Sequence, residues 1–255
     1  MTKTLRIGTR KSVLALVQTE LVANALKRAW PDIEIEILTR DTLGDRILDK
    51  PLQEFGGKGV FVSEFEQAIL DGVIDLAVHS AKDLPMELAA GLELVAVSER
   101  EDPRDVLVTL KAEEQPGMFN EGISGGAQRF PGRQEIRIGT SSPRRQLLVK
   151  NLAAAEGLWP DTVPVRCETL RGNVHTRLKK LEEGMYHGII LAAAGLKRLG
   201  IFDSPGEECP FNFHFFDPEH FIPAGGQGIM AVEGLAGSRA AACAQLWITG
   251  KAGFA

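Results

Sequence analysis

One tetrad occurs twice in this chain, and it restricts the fold more tightly than anything else in the sequence. Arg6-Ile7-Gly8-Thr9 near the N-terminus returns as Arg137-Ile138-Gly139-Thr140. Each copy reads as a short buried strand running into a turn, and each is followed by a basic cluster that opens a helix. The clusters are Arg10-Lys11-Ser12 and Ser141-Ser142-Pro143-Arg144-Arg145. A second echo links Gly72-Val73-Ile74-Asp75-Leu76-Ala77-Val78 with Gly184-Met185-Tyr186-His187-Gly188-Ile189-Ile190. Both are a helix stop, a strand and then a turn with a lysine, Lys82 or Lys197. Internal duplication of strand, basic turn and helix predicts two similar α/β lobes whose basic loops face each other.

The basic turns need an explanation of their own. Ser141 or Ser142 suits a helix N-cap, and Pro143 suits the first helical position, where a missing N–H costs nothing. Arginine does not suit the first turn, because the exposed N–H groups there already carry positive partial charge. An anion would offset that repulsion: hydroxyls, free backbone N–H groups and paired guanidinium groups form a carboxylate or phosphate site. The alternative is a pair of solvated arginines on a surface turn.

A chain of 255 residues with 44% apolar content can bury a good core, and the duplication favours two domains. The formal net charge of −5 argues against a general nucleic-acid binder. No apolar run approaches the roughly 18 residues of a membrane span, and the N-terminus enters a strand without a secretory leader. A cytoplasmic protein is expected. Cys167, Cys209 and Cys243 are scattered, and neither their number nor their spacing suits disulfides or structural zinc. No metal is expected.

Along the chain, Leu14, Val17, Leu21 and Ala25 keep helical spacing, with Val22, Leu26 and Ala29 beside them. Ile33, Ile35 and Ile37 alternate with Glu34 and Glu36 as in a strand with one wet face. Phe55-Gly56-Gly57-Lys58-Gly59 reads as a flexible loop presenting Lys58, without the pattern of a nucleotide phosphate loop. Ser63 and Glu66 fit a capping box. His79-Ser80-Ala81-Lys82-Asp83-Leu84-Pro85 sets a lysine beside a carboxylate just past a buried strand, where open α/β sheets bind ligands. An ordinary capped turn with an ion pair is the plainer reading. Arg100-Glu101-Asp102-Pro103-Arg104-Asp105 reads as a charged hinge, and residues 111–134 as a surface excursion. Val163 to Val165 is read as a strand. Arg171 falls in a loop, and Arg177 on a helix whose buried side is Leu178 and Leu181. The Phe- and His-rich run of residues 211–221 is read as a packed loop, and the tail as one short helix around Arg239 to Leu246. This places lobe one at residues 1–99 plus about 222–255 and lobe two at 104–221.

Taken together, several of these motifs resemble the porphobilinogen deaminases, also called hydroxymethylbilane synthases. They are Ile7-Gly8-Thr9-Arg10-Lys11-Ser12, Gly56-Gly57-Lys58-Gly59, Val78 through Pro85, Glu99 through Asp105, Gly139 through Arg145, Leu170-Arg171-Gly172-Asn173-Val174, Ala194 through Gly200 and Gly225-Gly226-Gln227-Gly228. The resemblance implies two hinged lobes like type II periplasmic binding proteins, with the family's third α+β domain absent from this chain. It also implies a transferase that condenses porphobilinogen head to tail, with loss of ammonia, on a dipyrromethane primer held by a cysteine. By position, Arg10, Ser12, Lys82, Ser141, Arg144, Arg145, Arg171 and Arg177 would bind the carboxylates of substrate and primer. Asp83 would be catalytic, stabilising the cation left when ammonia departs. The expected partners are porphobilinogen and anionic oligopyrroles, with no nucleic acid and no membrane. No cysteine here stands in the family's glycine-rich primer loop, and Glu54 replaces a basic residue common before Gly56. The expectation is therefore no covalent primer on this chain, unless a separate third-domain polypeptide brings it. A non-catalytic two-lobe binder of pyrrole precursors and an oxyanion receptor stand as alternatives. Lys82-Asp83 speaks against the receptor, which has no use for a carboxylate in a basic cleft.

Overall fold

The computed structural model describes residues 4–41, 62–111, 134–152, 163–203 and 209–245. In chain order its helices and strands begin with β1 (Leu5–Arg10), α1 (Val13–Ala29), β2 (Ile35–Arg40), α2 (Ser63–Leu70), β3 (Leu76–Ser80), β4 (Leu92–Val97) and β5 (Asp105–Leu110). They continue with β6 (Ile136–Gly139), α3 (Pro143–Leu152), β7 (Val165–Glu168), α4 (Val174–Glu182), β8 (Gly188–Ala192), α5 (Ala193–Arg198), β9 (Phe211–Phe215), β10 (Met230–Leu235) and α6 (Arg239–Gln245). The chain forms two compact units, Met1–Asp102 with Gly225–Ala255, and Pro103–Ala224.

Each unit is built on a five-stranded mixed sheet, in the order β2-β1-β3-β10-β4 or β7-β6-β8-β5-β9. In the first, β1 runs parallel to β2 and β3, and β10 lies antiparallel between β3 and β4. The second repeats the pattern: β6 is parallel to β7 and β8, and β5 is antiparallel to β8 and β9. Parallel neighbours require crossovers, which puts helices against the sheets and makes the inner strands apolar on both faces.

The repeated tetrad is the seam of this plan. Ile7 and Ile138 are fully buried in their sheets. A Cβ on Gly8 would collide with Ile74 Cδ1, and one on Gly139 would lie 2.9 Å from Tyr186 Cδ1, so both glycines mark close approach rather than flexibility. The arginines reach to the residues that precede the next parallel strand. Arg6 binds Asp75 through its backbone N–H and its guanidinium, while the backbone N–H of Arg137 donates to His187 Nδ1 and its guanidinium to the Gly184 carbonyl.

Helix α1 starts where Ser12 accepts from the Ala15 N–H at 3.3 Å. Its buried stripe is Gln18, Thr19, Val22, Ala23, Ala25 and Leu26, which holds Val22, Ala25 and Leu26 of the expected apolar face, while Leu14, Val17 and Leu21 are half-buried beside it. Its polar members find partners: Thr19 Oγ1 donates to the Ala15 carbonyl, and the Gln18 amide to Ser80 Oγ. The capping box at Ser63 does not form. Val62 is the N-cap, and Glu66 accepts instead from the Ala89 N–H at 2.9 Å.

Three strands differ from the sequence reading. Residues 211–215 form edge strand β9, because Phe211, Phe213 and Phe215 alternate with Asn212 and His214 and pair in register with Val106–Leu110. The segment read as tail contains β10, which is central to sheet one, and the strand expected at Val163 begins at Val165. Core residues Ile7, Leu76, Val95, Val232, Val22 and Leu26 pack in unit one. In unit two Val106, Val108, Ile189, Leu178, Leu181 and Leu196 cover one sheet face, and Leu107, Ile138, Ile190, Val149, Phe216 and Phe221 the other.

Candidate active site

In unit one the parallel strands β1 and β3 end side by side at Arg10 and Ser80. Their C-terminal ends bound a cavity of about 90 Å³ whose lining includes Arg10, Ser12, Gln18, His79, Ser80 and Asp83. Three residues picked from sequence, Arg10, Ser12 and Asp83, therefore meet at one place. Asp83 closes a single 3₁₀ turn, Ala81–Asp83, which ends as the Leu84 N–H bonds the Ala81 carbonyl. Its carboxylate is exposed, and among the described residues nothing hydrogen-bonds or pairs with it. Lys82 points its Nζ to Gln227 Oε1 at 3.3 Å.

Gln227 belongs to a glycine-rich loop that braces this turn. Gly226 has φ 71, and a Cβ there would lie 3.1 Å from Ala81 and from the Lys82 nitrogen. Only glycine permits that approach without strain.

In unit two the turn after β6 and the loop after β7 are tied together. The Thr140 N–H donates to the Glu168 carbonyl, and Ser141 Oγ donates to the Leu170 carbonyl while accepting from the Leu170 N–H. Ser142 caps α3, accepting from the Arg145 N–H. The two arginines share an internal anion. Asp105 is fully buried; one of its oxygens accepts from Arg144 at 2.7 Å and the other from Arg145 Nε and a terminal nitrogen at 3.0 and 2.7 Å. Arg145 spends its remaining terminal nitrogen on the Ile190 carbonyl and is 7% exposed. Arg144 also donates to the Ile222 carbonyl, and its side chain keeps 26% exposure. The two are thus unequal: Arg145 is a core residue, and Arg144 sits at the surface with its guanidinium aimed by Asp105. Arg171 is buried, and Arg177 is half-buried with Nε donating to the Gly172 carbonyl. Lys58 lies outside the described residues.

Sequence reasoning passed over Gln18, His79, Gln227 and Asp105. A glutamine on an apolar helix face and a histidine in an otherwise apolar strand were visible signals, whereas nothing local marks Asp105 as a fully buried residue. A larger cavity, about 1200 Å³, lies at the opposite end of sheet one, beside Leu5, Trp30, Ile33, Ile74 and Leu235. Arg6, one of two arginines in its lining, is already bound to Asp75 at 2.9 Å, and none of the residues picked from sequence for carboxylate binding lines it. Cys167, Cys209 and Cys243 are all half-buried free thiols. Among the described residues no group of three or more His, Cys, Asp or Glu side chains is placed to hold a metal, and no helix is long and apolar enough to cross a membrane.

A family model described as "Porphobilinogen deaminase, dipyromethane cofactor binding domain" matches residues 5–242. The chain belongs to the porphobilinogen deaminase family. It is 45% identical over 231 residues to the porphobilinogen deaminase of Methylobacillus flagellatus, covering 91% of this chain and 65% of that protein. The enzyme of Roseiflexus is 47% identical, with 91% and 67% covered, and the chloroplastic one of Euglena gracilis 46%, with 91% and 43%. The chain therefore spans about two thirds or less of the length of these porphobilinogen deaminases.

Among solved structures, the BvgS VFT2 domain of Bordetella pertussis superposes with TM-score 0.50 at 12% identity, over 95% of this chain and 85% of that one. CbnR, a LysR family transcriptional regulator, gives TM-score 0.53 at 12% identity, over 98% and 70%. At that identity the likeness is one of fold: α/β, in two lobes of the type II periplasmic-binding kind.

Proposed function

We propose that this chain carries out the condensation chemistry of its family, joining porphobilinogen units head to tail with release of ammonia on the way to hydroxymethylbilane. The observation that supports it most is the exposed Asp83, unpaired among the described residues, at a cavity shared with Arg10 and Ser12. A carboxylate there stabilises the cation formed as the C–N bond of the aminomethyl group breaks and ammonia leaves. A new C–C bond then forms to the free α-carbon of the pyrrole at the end of the growing chain, and the proton displaced from that carbon is taken up by the carboxylate or by solvent. Arg10, Ser12 and Lys82 in one unit and Ser141, Arg144, Arg171 and Arg177 in the other bind the acetate and propionate groups of substrate and oligopyrrole product. Arg145, with its donors turned inward, holds Arg144 in place through Asp105.

A dipyrromethane suits the same donors and supplies, when bound, the pyrrole carbon to which the first unit is added. None of the three half-buried thiols offers an open attachment point, so in this reading the primer is held by the carboxylate-binding residues alone or arrives on a third domain. We place the reaction in the cytoplasm, and take residues 100–105 as the hinge between lobes at 1–99 plus about 222–255 and at 104–221. The charge and proline content of that segment, between β4 and β5, supports the assignment.

The test is incubation of the purified chain with porphobilinogen, with and without added dipyrrole, following pyrrole consumption and ammonia together. Equal consumption and release is expected. Neither change, with dipyrrole supplied, would sink the proposal.

A further inference from the structure

His79 and Glu233 form a buried polar pair that the carboxylate-binding chemistry leaves unused. His79 is on β3 and Glu233 on its antiparallel neighbour β10, with Ala231 opposite His79 and Ala77 opposite Glu233. Residues two apart on a strand share a face, so the two side chains are diagonal neighbours. His79 Nε2 lies 3.1 Å from Glu233 Oε2, and the side chains are 6% and 0% exposed. The other carboxylate oxygen, Oε1, is the one buried side-chain polar atom without a hydrogen-bond partner among the described residues. A dry, half-satisfied carboxylate costs stability, and a well-packed apolar pair in its place would be no worse. Stability alone therefore does not account for it.

Its position does. His79 is the last buried residue of β3 before Ser80 and the Ala81–Asp83 turn, and it lines the same cavity as Arg10, Ser12 and Asp83. The edge-to-face contact of its ring with Phe65, at 5.8 Å between centroids, supports it from α2. From the β10 side, the Ala81 N–H donates to the Ile229 carbonyl at 2.9 Å, and Lys82 reaches Gln227. We propose that Glu233 is a positioning residue. Through the His79 ring it fixes the end of β3 against β10, and with it the turn that carries Lys82 and sets Asp83 at the cavity. The effect on turnover rests on the function proposed above, whereas the effect on the turn does not.

The double variant His79→Phe with Glu233→Leu removes both polar groups while keeping bulk and the ring contact with Phe65, so its thermal midpoint should be no lower than the parent's. Amide hydrogen exchange at Ala81 and Leu84 is expected to speed about tenfold or more, with β1 and β2 unchanged. On porphobilinogen, kcat is expected to fall about tenfold or more with KM within about twofold. Glu233→Gln, which keeps one hydrogen bond to the ring, should restore at least about half of the parent's kcat. Should the double variant not fold, Glu233→Leu alone gives the same two readouts. Parent-like exchange at Ala81 and Leu84 overturns the proposal, as does an unchanged kcat. A parent chain that shows no turnover counts against the proposed function, and the exchange measurement then decides the role of Glu233 by itself.

Discussion

At the scale of single residues, the same side chain type plays opposite roles a peptide bond apart. Arg144 and Arg145 are indistinguishable in sequence, yet burial and partners separate them: every guanidinium nitrogen of Arg145 meets Asp105 or the Ile190 carbonyl. Two cations around one dry carboxylate form a network whose members depend on each other. Replacing Asp105 with Ala would leave Arg145 buried without a counter-charge, and should cost about 3–5 kcal/mol of stability. Urea unfolding followed by circular dichroism measures it, and a loss below about 1 kcal/mol would show that the carboxylate is replaceable. Asp83 should behave in the reverse way. Because Asp83 is exposed and unpaired among the described residues, Asp83→Asn should leave stability within about 0.5 kcal/mol and remove turnover, since the amide keeps the shape but not the charge. Turnover near that of the parent would refute the assignment.

At the scale of elements, the repeated Arg-Ile-Gly-Thr strands are scaffold, and the chemistry sits in the turns that follow them. The strand gives up its side chain at Gly8 and Gly139 so that Ile74 and Tyr186 can close in. Packing of this kind has a pH signature in unit two. Burial raises the Cys167 thiol on β7 above its ordinary 9.0, with Lys150 opposing. Burial, helped by Glu168 and opposed by Arg137, raises Tyr186 above its ordinary 10.0. Both groups hold their protons more tightly folded than unfolded. Their contribution is complete below the ordinary values and is lost as pH climbs through the raised ones. The thermal midpoint should hold to about pH 8.5 and fall beyond it, and Cys167→Ala should delay the onset of that fall. A midpoint that rises between pH 9 and 10.5 would contradict this.

At the scale of the whole molecule, the two units repeat one sheet plan although the chain enters them differently. In each, the antiparallel fourth strand comes from a distant part of the unit's sequence: β10 from the chain's return in the first, β5 from the entry into the second. The cysteines belong to this scaffold. Cys167 is on edge strand β7, Cys209 lies before β9 with its thiol near the Phe211 carbonyl, and Cys243 is on α6, where its carbonyl accepts from the Trp30 indole. The intact mass of the purified chain should therefore equal that of the bare polypeptide, and a dipyrrole adduct on any of the three would overturn this.

The sequence alone determined the duplication, the α/β class, the apolar strands and the basic turns behind them. These are local matters: a strand's alternation, a helix's cap and an arginine near a helix start are written in neighbouring residues. Lys82-Asp83 and Arg10-Lys11-Ser12 were legible for that reason. What tertiary structure decided was where each charge ends up. Asp105 and Arg145 lie 40 residues apart in the chain, and His79 and Glu233 154 apart. No local pattern shows that the first residue of β5 meets the arginines at the start of α3 or that β10 fills the place beside β3. Strand pairing delivers these groups to one another, and burial then fixes which arginine is a strut and which faces solvent, because a charge taken out of water must keep its partner.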